Sequence, residues 1–303
     1  MPDGAPIMKV ESTKRLGARV ELVRGTYDDA HDRAVELQQQ TGMTFIHPYD
    51  DELVMAGQGT IGLEILDQLP DVQAVVVPIG GGGLIAGVAL AIKSLRPEVK
   101  VYGVQAAGAA SMYDAWKAGS YRTLDRVDTF ADGIAVKTPG EQTFELIRRY
   151  VDDIVTVSED EIAAAILALM ENQKLVAEGA GATPVAAALF GKLPLAGQKT
   201  VCLISGGNID VNILSRVINR GLVMGGRKCN LTIALEDKPG QLTRVSEIIS
   251  GCGANVVSVQ YDQGDTNMAI TSCFLKLGLE TRDADQIAEI KQKLEADGFQ
   301  LVV

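Results

Sequence analysis

Ala74-Val-Val-Val-Pro-Ile-Gly-Gly-Gly-Gly-Leu84 is the stretch on which the fold of this chain turns. Its first five residues are apolar without the in-and-out alternation of a half-exposed strand, which predicts a strand buried on both faces, as in a parallel sheet. The glycines break that strand, and apolar residues at helical spacing resume over 84–95. Strand, glycine loop and helix in this order bring consecutive backbone N–H groups, unshielded by any β-carbon, to the positive end of a helix. Such a cradle favours phosphate, with the dipole contributing about 0.3–2 kcal/mol. Four glycines in a row cost conformational entropy, so an idle surface turn is the weaker explanation.

The flanking sequence repeats the same alternation. Upstream the pattern predicts a helix near 10–17 closed by Gly17, a strand at 18–23, a helix at 27–41 ending at Gly42, a strand at 44–47, and a helix at 57–69 with Ile61, Ile65 and Leu69 on one face. Downstream it predicts strands at 99–104 and 200–204 and helices at 138–150, 159–171 and 184–190. Helices alternating with strands predict an α/β fold, an open parallel sheet with helices on both faces. Ser205-Gly-Gly-Asn208 follows the 200–204 strand and so falls at the carboxyl edge of the sheet, where open α/β sheets bind ligands. Past 221–227 the pattern changes, and Leu231, Ile233 and Leu235 alternate. A helix at 242–250, strands at 255–262 and 268–277 joined by a turn at Gly264-Asp265, a helix at 283–297 and a strand at 300–303 complete a ferredoxin-like βαββαβ order. Two domains are expected, 1–222 and 228–303.

Composition narrows the function. With 28 basic and 39 acidic residues the net charge is −11, and without a Lys/Arg cluster that disfavours nucleic acid. Cys202, Cys229, Cys252 and Cys273 lie in apolar stretches without CxxC spacing, and His31 and His47 are the only histidines, so reduced core thiols and no metal site are expected. No basic-then-apolar leader pattern and no apolar run of about 18 residues is present, which predicts a cytoplasmic protein without a membrane partner. Gly81-x-Gly83-x-x-Ala86 loosely fits a dinucleotide fingerprint, but the next strand ends in Gln105 rather than the acidic residue that holds a ribose.

A strand–GGGGL–helix followed by a strand–SGGN resembles the fold-type II pyridoxal-phosphate (PLP) enzymes, and in particular the serine/threonine dehydratases. The resemblance runs along most of the chain. It takes in Met1-Pro-x-Gly-Ala-Pro-x-x-Lys9-Val10, His47-Pro-x-Asp-Asp51, Ala56-Gly-Gln-Gly-Thr-Ile-Gly62, Ala131-Asp-Gly133 and Glu178-Gly-Ala-Gly-Ala182. Asp237-Lys-Pro-Gly-Gln-Leu242 and Gly253-Ala-Asn-Val256 resemble an ACT domain, an amino-acid-sensing module, and threonine ammonia-lyase is the family in which both parts are expected together. The resemblance implies that Gly80, Gly81, Gly82, Gly83 and the amide of Leu84 hold the PLP phosphate. Ser205, with Gly206 beside it, would face the pyridine nitrogen, and Asn208 would support that turn. Ala131, Asp132, Gly133 and Glu178 would lie near the substrate, threonine or serine. In the ACT domain Lys238, Pro239, Gly240, Gln241 and Leu242 would bind an amino-acid effector with help from Asn255. A homo-oligomer is expected.

The sequence also departs from the family. The family's Schiff-base lysine, in a Gly-Ser-Phe-Lys stretch, and its Ser-x-Gly-Asn-His loop have no counterpart in these 303 residues, which open at the motif that follows them. No catalytic residue is therefore identified, Lys93, Lys100 and Lys174 read as solvated side chains, and the chain is expected to be an N-terminally truncated form without activity of its own. Serine racemases carry a metal-binding acidic residue where Gln105 stands, with Ala109 and Ser111 offering no carboxylate, which disfavours racemase chemistry. The alternative is a non-catalytic, amino-acid-binding regulatory protein.

Overall fold

The computed structural model describes residues 1–5, 7–25, 27–262 and 272–302, which form two compact units, Met1–Leu214 and Ser215–Val303. In the first unit, α1 (Ile7–Arg15), α2 (Tyr27–Thr41) and α3 (Glu52–Gln68) precede β1 (Ala74–Pro78), α4 (Gly83–Leu95) and β2 (Lys100–Ala106). Then come α5 (Ser111–Ala118), α6 (Glu141–Tyr150), β3 (Asp153–Val157), α7 (Glu159–Ala168), α8 (Gly179–Leu189) and β4 (Thr200–Cys202), with α9 (Val211–Met224) spanning the division. The four strands form one parallel sheet in the order β3-β2-β1-β4, so β1 is interior and its five residues are all buried. This agrees with the unbroken apolar run that predicted it.

A core built from Val75, Val77, Ile85, Val88, Ile92, Met112, Ile147 and Ile154 joins β1 and β3 to α4, α5 and α6. The tightest helix contact is α3 on α4: a β-carbon at Gly87 would fall onto the Met55 carbonyl, and one at Gly62 would sit 3.0 Å from Val88 O. Small residues here let two backbones touch. Helix α3 begins five residues earlier than predicted because Asp51 caps it, its carboxylate accepting from the N–H groups of Leu53 and Val54. Helix α8 likewise begins at Gly179 and tolerates Pro184, since the Thr183 hydroxyl donates to Ala180 O at 2.9 Å in place of the missing proline N–H.

Two predicted strands are not formed. Residues 18–23 contribute only a single bridge, Val23 to Pro2, and 44–47 is irregular; neither has a neighbouring strand among the described residues, and a lone strand leaves its backbone groups unpaired. Helix α7 ends at Ala168 and passes into a wider π turn, Leu169–Gln173, rather than continuing to 171. Helix α5, strand β3 and helix α9 have no counterpart in the sequence-based reading.

In the second unit β5 (Lys228–Glu236), α10 (Gln241–Gly251), β6 (Asn255–Asp262), β7 (Ser272–Glu280), α11 (Ala284–Ala296) and β8 (Gln300–Val302) follow the predicted βαββαβ order. The sheet is antiparallel, ordered β6-β7-β5-β8, and Leu231, Ile233, Leu235, Leu275, Leu277 and Leu279 meet Val245, Ile249, Ile290 and Leu294 of the helices. The expected Gly264-Asp265 turn lies outside the described residues. The division at Leu214 falls before the 222–228 boundary expected from periodicity. The second half of α9 is tied to β5, Lys228 Nζ donating to Asn219 Oδ1 at 2.8 Å and Arg227 N–H to Leu222 O. No helix among the described residues is long and apolar enough to cross a membrane.

Candidate active site

Strand β1 delivers the glycine loop, and β4, its parallel neighbour, delivers Ser205. Pairing of Val76 with Cys202, extended by the N–H of Leu203 donating to Val76 O, brings the two loops to the same carboxyl edge. Between them lies a cavity of about 600 Å³. Gly80, Gly81, Gly82, Gly83, Leu84, Asp132, Gly133, Glu178 and Ser205 all line it, so most of the first-unit residues singled out in the sequence converge on one place. The N–H groups of Gly80 through Leu84 find no acceptor among the described residues. Five such donors at the start of a thirteen-residue helix are groups that could hold an anion such as phosphate. Gly82 has φ of +100°, a left-handed conformation that only glycine adopts without strain.

The surrounding positions separate into two groups. The Glu178 carboxylate is wedged between glycines, since a β-carbon at Gly133 would stand 3.3 Å from Oε1 and one at Gly206 would overlap it; Glu178 N–H also donates to Gly206 O at 3.0 Å. Asn208 lines a second, smaller cavity of about 270 Å³ that shares Asp132 and Glu178 with the first. Ala131 is fully buried and lines neither. Tyr49, Pro48, Tyr27 and Gln58 also line the larger cavity and were not foreseen. Tyr49 lies over the glycine loop, where a β-carbon on Gly81 would meet its ring, and it packs edge-on against His47 with centroids 4.8 Å apart. Burial holds the His47 imidazole below its ordinary pKa, and its Nδ1 accepts from the N–H groups of Tyr49 and Asp50.

No lysine lines the larger cavity among the described residues. Lys9 borders the smaller one, paired with Asp132 at 2.5 Å. Lys100 binds Asp152 at 2.8 Å, and Lys174 donates to Glu171 O at 2.6 Å. Lys93 corrects the expectation of a solvated side chain: it is only 13% exposed and shares Asp152 at 2.7 Å. Gln105 is fully buried, its side-chain oxygen accepting from Tyr113 N–H.

A family model described as pyridoxal-phosphate dependent enzyme matches residues 1–207, and with them both loops of the cavity. The chain belongs to that family. An L-threonine ammonia-lyase of Thermotoga maritima is 49% identical over 301 residues, 99% of this chain and 75% of the relative, so the likeness extends through the second unit. Among solved structures, the processed form of threonine deaminase isoform 2 from Solanum lycopersicum superposes with TM-score 0.68 at 41% identity, covering 73% of this chain and 65% of that one. Maize serine racemase gives 0.67 at 32% identity, covering 74% and 69%. Members of this family depend on pyridoxal phosphate. The residues present fit its phosphate and ring: free amides for the one, and the Ser205 hydroxyl on the same cavity for the other.

Of the expected effector positions, Lys238, Pro239 and Gly240 form the turn from β5 into α10, and Gln241 and Leu242 open the helix. Gly240 has φ of +92°, and the Lys238 ammonium is held by Glu236 at 2.6 Å. Asn255 does not join them within one chain. Its register partner Glu280 also faces Lys228, at the start of β5, and its amide donates to Glu280 Oε2 at 3.1 Å. The turn leaves the other end of β5, about 26 Å away at 3.3 Å per residue. A β-α-β connection returns the chain to the end it started from, which spacing along the sequence conceals.

Proposed function

We propose that this chain is of threonine ammonia-lyase lineage, its first unit holding pyridoxal phosphate for conversion of L-threonine to 2-oxobutyrate and ammonia, and its second an ACT domain that binds an amino acid. The observation that carries the reading is the row of free amides at Gly80–Leu84 sharing one cavity with Ser205. Those amides would hold the phosphate dianion, and charge-assisted bonds from backbone N–H groups are the stronger kind. A serine hydroxyl bonds a ring nitrogen without protonating it, whereas a carboxylate would keep it charged. Glu178 and Asp132 place carboxylates at the cavity wall, able to orient an amino-acid ammonium group. When bound, the cofactor supplies an electron sink that lets threonine lose its hydroxyl and then its nitrogen.

Turnover also requires an amine that bonds the cofactor aldehyde and moves the α-proton. Lys9 is neutralised by Asp132 beside the smaller cavity. The 303-residue chain by itself therefore binds cofactor without turning threonine over. Borohydride reduction in the presence of pyridoxal phosphate, followed by peptide mass analysis and a 2-oxobutyrate assay, tests this. Bound cofactor with no pyridoxyl-lysine and no product is expected. A modified lysine together with product would refute the inactivity, and a chain that binds no cofactor would refute the whole reading. In the second reading, an amino-acid-binding regulatory protein, the turn at Lys238–Leu242 is the active part. It predicts that free amino acids raise the melting temperature of the second unit whether or not cofactor is present.

A further inference from the structure

The glycine cradle is gripped from outside by residues that touch neither cavity. The cap position of helix α6 is Gly140, which has no side chain to cap it, yet the Asp50 carboxylate accepts from the N–H groups of Glu141 and Thr143, each at 3.0 Å, from more than 90 residues away. Gly140 is what admits it: a β-carbon there would stand 2.5 Å from Asp50 Oδ1 and 2.6 Å from Thr143 Oγ1. Asp50 is itself held through its N–H, which donates to His47 Nδ1 at 2.7 Å, while its carbonyl accepts from Gln142 Nε2 at 3.4 Å. Thr143 is fully buried. Its hydroxyl lies 2.7 Å from Gly81 O and 3.1 Å from Gly140 O; having one proton, it serves the nearer. Gly140 N–H donates to the same Gly81 carbonyl at 3.2 Å.

That carbonyl belongs to the peptide joining Gly81 to Gly82. The peptide is trans and planar, so its N–H points opposite to its C=O. Two donors drawing the carbonyl toward α6 therefore turn the Gly82 N–H away from α6, leaving it free as a donor in the cavity wall. A four-glycine loop has no side chains to hold such a peptide plane, and left alone the plane would rotate.

We propose that Asp50 and Thr143 are positioning residues for the anion cradle: Asp50 fixes the first turn of α6, and through it Thr143 holds the Gly81–Gly82 peptide with its N–H turned toward bound phosphate. The inference rests on the cofactor reading above and adds to it the residues that set phosphate affinity.

Calorimetric titrations of the whole chain with pyridoxal phosphate, inorganic phosphate and pyridoxal, paired with the amide NMR signal of Gly82, test it. Thr143→Val keeps the shape and removes the hydroxyl, Thr143→Ser restores it, and Asp50→Asn weakens the cap. Loss of one such hydrogen bond predicts pyridoxal phosphate and inorganic phosphate each bound about three- to tenfold more weakly by Thr143→Val. Pyridoxal, which lacks the phosphate, should bind as to the parent, Thr143→Ser should recover both phosphate ligands, and the phosphate-induced shift of the Gly82 amide should shrink in step. Should Thr143→Val fail to fold, Asp50→Asn carries the same test with the same expected direction. Phosphate affinity and Gly82 shift unchanged in a folded variant would overturn the proposal while leaving the cofactor reading intact; so would equal weakening of pyridoxal. A parent chain that binds neither phosphate ligand would overturn both.

Discussion

Adjacent glycines of the cradle should respond very differently to the same substitution. Gly82 has φ of +100°, and a β-carbon there would stand 2.8 Å from Met112 Cε, 2.9 Å from Ile147 Cδ1 and 2.9 Å from Thr143 Oγ1, all in the buried core. Gly82→Ala thus incurs about 1–2 kcal/mol for the left-handed backbone and about 1–3 kcal/mol for overpacking, or roughly 2–5 kcal/mol in all. For a unit of this size that lowers the melting temperature by about 4–20 °C. Gly81 has no positive φ, and the atoms its β-carbon would come nearest all belong to the ring of Tyr49, a half-buried side chain at the cavity rim rather than in the closed core. Gly81→Ala should cost no more than about 1–2 kcal/mol, partly offset by a stiffer unfolded chain. Trp116, the single tryptophan, packs against the core that Met112 and Ile147 belong to, so its fluorescence during heating reports on the right unit. Equal melting temperatures for the two variants, or a lower one for Gly81→Ala, would refute the packing account of the loop.

Asp152 and Cys202 provide two further checks. Burial works to raise the Asp152 carboxyl pKa, but hydrogen bonds from Lys100, Lys93 and the Val101 N–H overcome it and hold the group below its ordinary value. Its stabilisation is then complete above the unfolded-state pKa, near 4, and is lost as pH falls through the lower folded value. Asp152→Asn should cost about 1–3 kcal/mol at neutral pH by leaving Lys93 unneutralised, and the gap from the parent should close in acid; urea titrations showing the same gap at both pH values would count against it. Burial pushes the Cys202 thiol up to about 11, so iodoacetamide at pH 8 should label it far more slowly in the native chain than in urea, as mass spectrometry would read directly.

What the sequence disclosed was whatever depends on neighbours along the chain. Strand β1, the glycine loop and helix α4 were legible because an apolar run, four glycines and a helical period are all contained in 22 residues, Ala74–Leu95. Helix α2 was legible for the same reason, with Gly42 closing it at φ of +72°. Strands at 18–23 and 44–47 looked equally good, but a strand exists only if another lies beside it, and periodicity carries no information about that. Strand β3 was overlooked although it pairs with β2 over five residues, Asp153–Val157. Asp50 appeared in the sequence only as part of His47-Pro-x-Asp-Asp51, without a role, because its partners Glu141 and Thr143 are brought to it by the fold. The only local hint was a pair of carboxylates just ahead of a helix. Asn255 shows the opposite: it is close to the 238–242 turn in sequence and, within one chain, a sheet's length away in space.

Four consecutive glycines would, in a loose loop, sample many conformations, and fixing each residue costs about 1–2 kcal/mol of backbone entropy. Here the ordering is completed during folding, by the ring of Tyr49 against Gly81, the core against Gly82 and the start of α4 at Gly83. An anion reaching the cradle meets donors already aligned, and its binding free energy is not reduced by the need to order them. The flexibility that the glycines bring to the sequence is thus spent before any ligand arrives, and what remains of them in the folded protein is only their lack of side chains.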